Sequence, residues 1–314
     1  MITYLLRRLL QSILLLFIVS IIVFGIVHSA PGGPAVLNNP ELSPQLAAEY
    51  EERLGLTDPI PVQYFRWLSN VFQGNLGMSL EHSLPTSTLV RERFPATLLL
   101  SGVAMIVAVV VALFLGIVSA VKRYSMIDYG ATIIAFLGLA IPGFWLGIMM
   151  IIVFSVKFGW LPSSGMTSAG GGDVVDRVKH LIMPTIVLSS FAVAQLARYT
   201  RSSMVEVLRN DYIRAARAKG LSERSVIYRH ALKNALIPVV TVIGVMTPRL
   251  LGGAVITETV FAWPGMGRLA VNAAFTRDYP LVMAITMFVA VLVVLSNLIT
   301  DMCYGLLDPR ITFE

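Results

Sequence analysis

Six apolar runs divide the chain, and they restrict its fold more strongly than any other feature. They cover residues 9–30, 97–121, 131–156, 181–197, 235–257 and 281–300. A helix needs about 20 largely apolar residues to cross the hydrocarbon core of a bilayer. Because an unpaired backbone N–H or C=O group is costly in lipid, each run is expected to form a helix. The sequence therefore predicts an all-α integral membrane protein with six transmembrane helices.

The composition supports a membrane protein and offers no catalytic motif. Hydrophobic residues make up 56% of the 314 residues and charged residues 13%, whereas about a quarter of the residues in a soluble domain are charged. The one cysteine, Cys303, excludes an internal disulfide, and no Cys/His cluster has the spacing of metal ligands. The motifs GxxxxGKS/T, HExxH and GxSxG are absent from the sequence. We therefore expect no ATPase or other catalytic site, and no metal or cofactor, in this chain.

The charges between the runs predict the orientation of the helices. Arg7 and Arg8 precede the first run, which is too long and apolar to be a signal peptide and is interpreted as a retained helix. Segment 31–93 carries four Lys or Arg against seven Asp or Glu, whereas segment 198–234 carries nine against three. Because cytoplasmic loops are enriched in Lys and Arg, segment 198–234 and both termini are expected in the cytoplasm.

Segment 31–93 is predicted to be an ordered external loop between the first and second helices. It holds Tyr64, Phe65, Trp67 and Phe72, more aromatic surface than a disordered tether carries. The predicted division of the chain is an N-terminal segment with helix 1 (1–30), the external loop (31–93), the transmembrane domain (94–304) and a cytoplasmic tail (305–314).

Residues 210–238, here called the basic elbow, are a polar stretch between the fourth and fifth runs, NDYIRAARAKGLSERSVIYRHALKNALIP. Good helix formers and no proline occupy residues 202–219, and Gly220 can then end a helix in the left-handed conformation. Ser222 can cap a second helix over residues 223–234. The helix before Gly220 has a slim face of small side chains: Ala215, Ala216 and Ala218.

Two interpretations of the basic elbow are open from the residues alone. In the first, its cations only follow the positive-inside rule and contact lipid headgroups. In the second, the elbow inserts into another protein, because a helix on a lipid surface needs bulky anchors rather than alanines. Val226, Ile227 and Ala231 give the second helix an apolar stripe, whereas Arg224 and Lys233 keep its other positions polar.

The basic elbow resembles the "EAA…G" cytoplasmic loop of permease subunits of binding-protein-dependent ABC importers. Two alanines and a glycine match the motif, whereas Arg214 stands where many members have Glu and Lys233 where many have Pro. With these departures and the ending HALKNALIP, the loop resembles those of the dipeptide, oligopeptide and nickel branch of the family. The resemblance implies that the loop docks into a cleft on each ATPase subunit. Its residues here are Arg214, Ala215, Ala216, Gly220, His230, Asn234 and Pro238.

Further stretches extend the resemblance over nearly the full length of the chain. In order, they are LGLTDPIPVQYFRWL, GNLGMSL, FPATLLL, ETVFAWPGMGRLA, RDYPLV and LLDPRI, although Asn75 stands where many relatives have Asp. The resemblance implies the type I ABC importer permease fold in a bacterial inner membrane. It also implies a second homologous permease subunit, ATP-binding subunits that hold ATP and Mg, and an extracytoplasmic solute-binding protein. Membrane lipids are expected around the chain, and no nucleic acid.

Arg249 is a charged residue within the fifth apolar run. It lies about 20 Å along the helix from Leu236, at about 1.5 Å per residue, in the predicted outer half of the bilayer. One interpretation is that it extends to the interface or pairs with Glu258. The other is that it lines a translocation path and contacts an anionic group of the solute. The resemblance favours the second, because the family's fifth span lines the pathway.

The residues favour a transport subunit over two other classes of membrane protein. A stand-alone secondary transporter is expected to show inverted repeats or a carboxylate at mid-membrane depth, and the sequence shows neither. A membrane enzyme would need a catalytic constellation, which is also missing from the sequence. The resemblance implies the permease of an ATP-driven importer for di- and oligopeptides, with nickel chelates or glutathione as alternative cargo.

Overall fold

The computed structural model describes residues 2–29, 33, 45, 49, 52 and 55–307, and the regular structure of this part is helical. The side chains of residues 2–5, 249, 251, 253 and 303–307 lie outside the described set. The helices are α1 (Ile2–Ser29), α2 (Ile60–Phe72), α3 (Thr86–Val121), α4 (Met126–Ala140), α5 (Gly143–Met150), α6 (Val174–Val207), α7 (Asp211–Ala218), α8 (Glu223–Ser225), α9 (Leu232–Val260), α10 (Met266–Phe275) and α11 (Tyr279–Leu307). A π-helical segment, Ile151–Lys157, continues α5, and another, Val226–Ala231, joins α8 to α9.

Five helical segments of the described chain are long and apolar enough to cross a membrane. They are α1, α3, α6, the stretch from α8 into α9, and α11. The number becomes six if the bent pair of α4 and α5 is counted as one span. The all-α membrane fold predicted from the apolar runs is therefore confirmed for this part of the chain.

Helix α3 begins at Thr86, inside the predicted external loop and well before the predicted start of the second span. The buried Thr86 hydroxyl lies 3.1 Å from the carbonyl oxygens of both Leu76 and Gly77. Leu89 and Val90 are buried in an apolar cluster with residues of α10 and α11. Charged residues near the start of α3 hide these turns from a hydropathy-based prediction, but tertiary packing stabilises them as helix.

The third apolar run is not one straight helix, contrary to the span predicted over residues 131–156. Helix α4 ends at Ala140, α5 begins at Gly143, and the pair is bent by 103°. Ile141 between them is extended, with φ −82° and ψ 122°. The ring of a proline displaces the preceding residue from the helical region, so Pro142 accounts for the break.

The described chain divides into two compact units. One contains the chain up to Thr97 together with Pro264–Leu295. The other contains Leu98–Trp263 and the end of α11 from Ser296 onward.

In the first unit, α2 packs on α1 through aromatic side chains. The buried Tyr64 hydroxyl hydrogen-bonds the Ser20 hydroxyl at 2.8 Å. The Phe24 ring lies 5.3 Å from the Tyr64 ring and 5.8 Å from the Trp67 ring, measured between centroids. The prediction of order is thus confirmed for α2, whereas most of residues 31–54 lie outside the described residues. Two further aromatic side chains of this loop are exposed: Phe65 and Phe72.

A buried carboxylate in the first unit fastens the segment before α3 to the start of α11. Asp278 accepts hydrogen bonds from the Ser79 hydroxyl at 2.5 Å and from the Glu81 N–H at 3.2 Å. It also accepts the N–H of Leu281 at 3.2 Å and so caps α11. Because the Asp278 side chain is fully buried, these bonds replace the water that it loses on folding.

In the second unit, α6 packs closely against α3 and α4 at glycines. A Cβ atom on Gly138 of α4 would lie 3.0 Å from the carbonyl oxygen of Ser190, and one on Gly116 of α3 would lie 2.9 Å from that of Ala197. Small residues allow such close approach between membrane helices. Helix α6 therefore approaches both α3 and α4 at backbone distance.

Candidate functional site

The basic elbow is entered through a turn rather than through one continuous helix. Helix α6 ends at Val207, residues 208–210 form a turn, and α7 starts at Asp211. The single helix predicted over residues 202–219 is therefore wrong. The turn redirects the chain so that Ile213, which is fully buried, packs beneath the elbow.

Gly220 ends α7 in the left-handed conformation, as predicted, with φ +77°. Its N–H donates to the carbonyl of Arg217 at 2.9 Å, and the N–H of Leu221 donates to that of Ala216 at 3.4 Å. This pair of bonds is a Schellman motif, which satisfies carbonyls that the end of a helix leaves open. The corner of the elbow is thus a defined structure and not a loose connection.

The second helix of the elbow begins where the sequence predicts. The Ser222 hydroxyl caps it by accepting the N–H of Ser225 at 3.4 Å. Across the corner, Arg217 donates from Nε to Glu223 Oε1 at 2.8 Å and from Nη2 to Oε2 at 3.3 Å. Both side chains are largely exposed, so the ion pair adds little to stability, but it helps to fix the shape of the corner.

The sequence predicts that this second helix ends at Asn234, but the structure does not end it there. It continues through the π-helical segment Val226–Ala231 into α9 and ends only at Val260. Pro238 lies inside α9 without breaking it. The second helix of the elbow and the fifth apolar run are consequently one uninterrupted helical stretch.

The underside of the elbow is a buried apolar cluster. Val226 and Ala231 belong to it, with Ile227 packed at its edge, so the predicted apolar stripe is confirmed. Helix α6 supplies Met204 and Val207 to the same cluster. The remaining buried members are Ile117, Ala120, Ile213, Ala216 and Ala235.

Two further hydrogen bonds hold the elbow in place, one to α6 and one between the two arms of the elbow. The buried Ser203 hydroxyl of α6 donates to the carbonyl of Ala235 in α9 at 2.9 Å. The Asn234 side-chain amide donates to the Tyr212 hydroxyl of α7 at 2.8 Å. With the Arg217–Glu223 pair, these bonds connect α6, α7, α8 and α9 into one assembly.

The outer side of the elbow is a continuous exposed tip. Every residue from 217 to 224 is exposed, and this tip includes Lys219, Gly220 and Arg224. Ala215 is exposed as well, but Ala216 is buried in the cluster beneath. The prediction that Ala215 and Ala216 share one slim exposed face is therefore wrong, because the helical rotation of 100° per residue turns Ala216 inward.

The other predicted site residues lie at different places. Arg214 is exposed and pairs with Asp211 within α7. His230 is half-buried in the π-helical segment, and Pro238 is exposed on α9. Arg249 belongs to α9, but its side chain lies outside the described residues, so the structure does not place it against any path. Among the described residues, no three His, Cys, Asp or Glu side chains are grouped to hold a metal ion.

Asp128, which is buried, and Arg201, which is half-buried, form an ion pair that the sequence analysis missed. Arg201 donates to both carboxylate oxygens of Asp128, at 2.7 Å and 2.8 Å. The sequence does carry a local signal, since Ser125 caps α4 and Asp128 follows three positions later, as in a capping box. The partner on α6 is 73 residues away, so nothing local indicates it.

Two family models match the chain. "Binding-protein-dependent transport system inner membrane component" matches residues 112–313. "Binding-prot-dependent transport system membrane comp, N-term" matches residues 1–101. Together the two models match all of the chain except residues 102–111 and residue 314.

Full-length relatives agree with the family models. The oligopeptide transport system permease protein AppB of Bacillus subtilis (strain 168) is 46% identical, with 100% of each chain covered. The dipeptide transport system permease protein DppB of Alkalihalophilus pseudofirmus is 43% identical, and the glutathione transport system permease protein GsiC of Escherichia coli O6:H1 is 40% identical, each with 100% of both chains covered.

A solved structure supports the fold. The MetNI methionine ABC transporter in inward-facing conformations matches with a TM-score of 0.56 at 19% identity, over 71% of this chain and 97% of that chain. This likeness concerns the fold alone. With the family models and the relatives, it shows that the chain is a multi-pass membrane permease belonging to the inner membrane component family of binding-protein-dependent ABC transport systems.

Proposed function

We propose that this permease carries di- and oligopeptides and that its basic elbow docks on an ATP-binding subunit. Relatives named for oligopeptide and dipeptide transport, at 46% and 43% identity over the whole chain, support the peptide cargo. Glutathione is the second candidate, because a glutathione permease is 40% identical over the same length. These solutes share a peptide backbone with free amino and carboxylate groups. Nickel chelates stay an alternative cargo.

The observation that carries the docking proposal is the exposed tip at residues 217–224 above a buried apolar cluster. The cap at Gly220 and the ion pair between Arg217 and Glu223 hold the tip in one shape. A preorganised tip loses little conformational entropy when it enters a cleft on another protein. A headgroup-binding helix would instead present bulky apolar anchors to the bilayer.

The connections of the elbow supply a route for movement. The elbow runs without a break into α9, and the Ser203–Ala235 bond joins α6 to α9 at the base. Closure of the ATP-binding subunits around the tip would therefore displace two membrane helices together. Coupling between the ATP-binding subunits and the membrane helices needs a discrete element whose conformation responds to both. The elbow is suited to that role.

The rest of the importer follows from the same proposal. It contains a second homologous permease, ATP-binding subunits that hold ATP and Mg and hydrolyse ATP, and an extracytoplasmic binding protein that selects much of the cargo. This chain binds no cofactor of its own. Its elbow and both termini lie in the cytoplasm, because Lys and Arg are concentrated in segment 198–234. Arg249 lines the translocation path and contacts a carboxylate of the peptide.

Uptake by the reconstituted importer tests the proposal. The permease pair, the ATP-binding subunits and the binding protein are placed in vesicles with ATP, and labelled dipeptide, oligopeptide, glutathione and a nickel chelate are compared. We expect accumulation of the peptides above the level without ATP. Accumulation of glutathione or of the nickel chelate alone would replace peptide as the cargo.

A further inference from the structure

Asp128 and Arg201 hold α4 and α6 together through a two-point ion pair. Arg201 Nε donates to Asp128 Oδ1 at 2.7 Å, and Nη2 donates to Oδ2 at 2.8 Å. Asp128 is 3% exposed, and the Arg201 side chain is 32% exposed. A planar, bidentate pair fixes the orientation of its partners as well as their distance.

The carboxylate of Asp128 is also held within its own element. Its Oδ2 accepts the N–H of Tyr124 at 3.0 Å, and the N–H of Asp128 donates to the capping hydroxyl of Ser125 at 3.3 Å. The carboxylate is therefore a rigid part of the beginning of α4. A displacement of Arg201 would act on the helix itself and not on a mobile side chain.

The helices of the second unit are connected to the basic elbow in different ways. The chain joins the elbow directly to α6 and α9, and Ile117 and Ala120 connect α3 to it through the buried cluster. Among the described residues, α4 contributes no member to that cluster. Arg201 lies in the last two turns of α6, shortly before the elbow, so the ion pair links α4 to the end of α6 that adjoins the elbow.

Helix α4 leads from this ion pair to the break in the third apolar run. Ile141 and Pro142 at the break line a cavity of about 370 Å³, which Phe191 of α6 and Met246 of α9 also line. Irregular backbone at membrane depth is tolerated where it faces a cavity or another protein, not lipid. A movement of α4 relative to α9 would change the shape of this cavity.

We propose that Asp128 and Arg201 are positioning residues whose ion pair makes α4 follow the basic elbow. ATP-driven movement of the elbow then reshapes the cavity at the break between α4 and α5. This inference rests on the proposed function, because it takes the elbow to be moved by an ATP-binding subunit.

Asp128→Asn in the reconstituted importer tests the inference by the number of peptides taken up per ATP hydrolysed. Asparagine keeps the size of the side chain and an acceptor for the Tyr124 N–H, so the variant removes the charge of the pair. We expect the number of peptides taken up per ATP to fall at least ~5-fold, which is the smallest effect typical of coupling between linked sites. The ATP-binding subunits should still be bound. Asp58→Asn is the matched control, since Asp58 and Arg66 form an exposed pair of the same 2.7 Å length; its ratio should equal that of the wild type.

The double variant Asp128→Asn, Arg201→Gln separates positioning from stability. It removes the unpaired cation that Asp128→Asn leaves behind, so its unfolding temperature should recover toward the wild-type value. The uptake ratio should stay low, because α4 is still unlinked from α6. A wild-type ratio in the double variant, or in Asp128→Asn itself, overturns the inference. If Gly220→Asp abolishes uptake while these variants keep the wild-type ratio, the docking proposal stands and only the role of the ion pair is wrong.

Discussion

Replacing Gly220 by alanine tests whether the tip of the elbow enters a cleft on its partner. Gly220 has φ +77°, and a Cβ atom added there would meet no described atom of the chain within 4 Å. The substitution therefore introduces no clash inside the chain, but it strains the left-handed backbone by about 1–2 kcal/mol. At about 1.4 kcal/mol per factor of ten, this strain alone shifts the equilibrium between the native corner and its alternatives by about 5–30-fold.

The affinity of the ATP-binding subunits for the purified permease is the quantity to measure. We expect Gly220→Ala to lower it by more than about 30-fold, because a methyl group in the cleft adds steric overlap to the backbone strain. Gly74→Ala is the matched control: Gly74 has φ +80°, and its added Cβ atom would also meet nothing within 4 Å. This control carries the same strain away from the elbow and should leave the affinity unchanged. An unchanged affinity for Gly220→Ala, or an equal loss in both variants, would refute the reasoning.

Three further substitutions test the docking tip again, the translocation path and the buried carboxylate of the first unit. Gly220→Asp adds charge and bulk to the backbone strain. The permease should still insert into the membrane, but the importer should lose its ATP-binding subunits on purification or hydrolyse ATP without uptake; wild-type transport would contradict docking. Arg249→Met should slow uptake of anionic cargo more than of neutral cargo, whereas wild-type rates for both would leave only the interpretation that Arg249 extends to the interface. Asp278→Ala removes the acceptor of three hydrogen bonds, and a hydrogen bond to a charged group contributes about 1.5–3 kcal/mol to stability. The unfolding temperature of the detergent-solubilised protein should therefore fall; no change would show that Asp278 does not anchor the segment before α3.

Local physical chemistry accounts for the features that could be predicted from the sequence. The apolar runs predict membrane helices because the length of a run and the thickness of a bilayer are directly comparable. Gly220 and Ser222 predict the corner of the elbow because a left-handed cap and a hydroxyl N-cap depend on neighbouring backbone groups. The structure confirms these predictions within the described residues. The roles of Arg214, His230 and Asn234 in docking stay predictions.

The tertiary structure decided the features that depend on distant contacts. The break after Ile141 is an exception, because Pro142 and Gly143 carry a local signal for it that an average of hydropathy over the run does not register. The burial of Ala216 depends on a turn after Val207, which places α7 over residues from other helices. The partnership of Asp128 with Arg201 depends on α4 and α6 lying side by side, since 73 residues separate the two in sequence. The sequence by itself determined which segments enter the membrane and where the elbow turns; only packing between helices decided which of its faces is free to meet a partner.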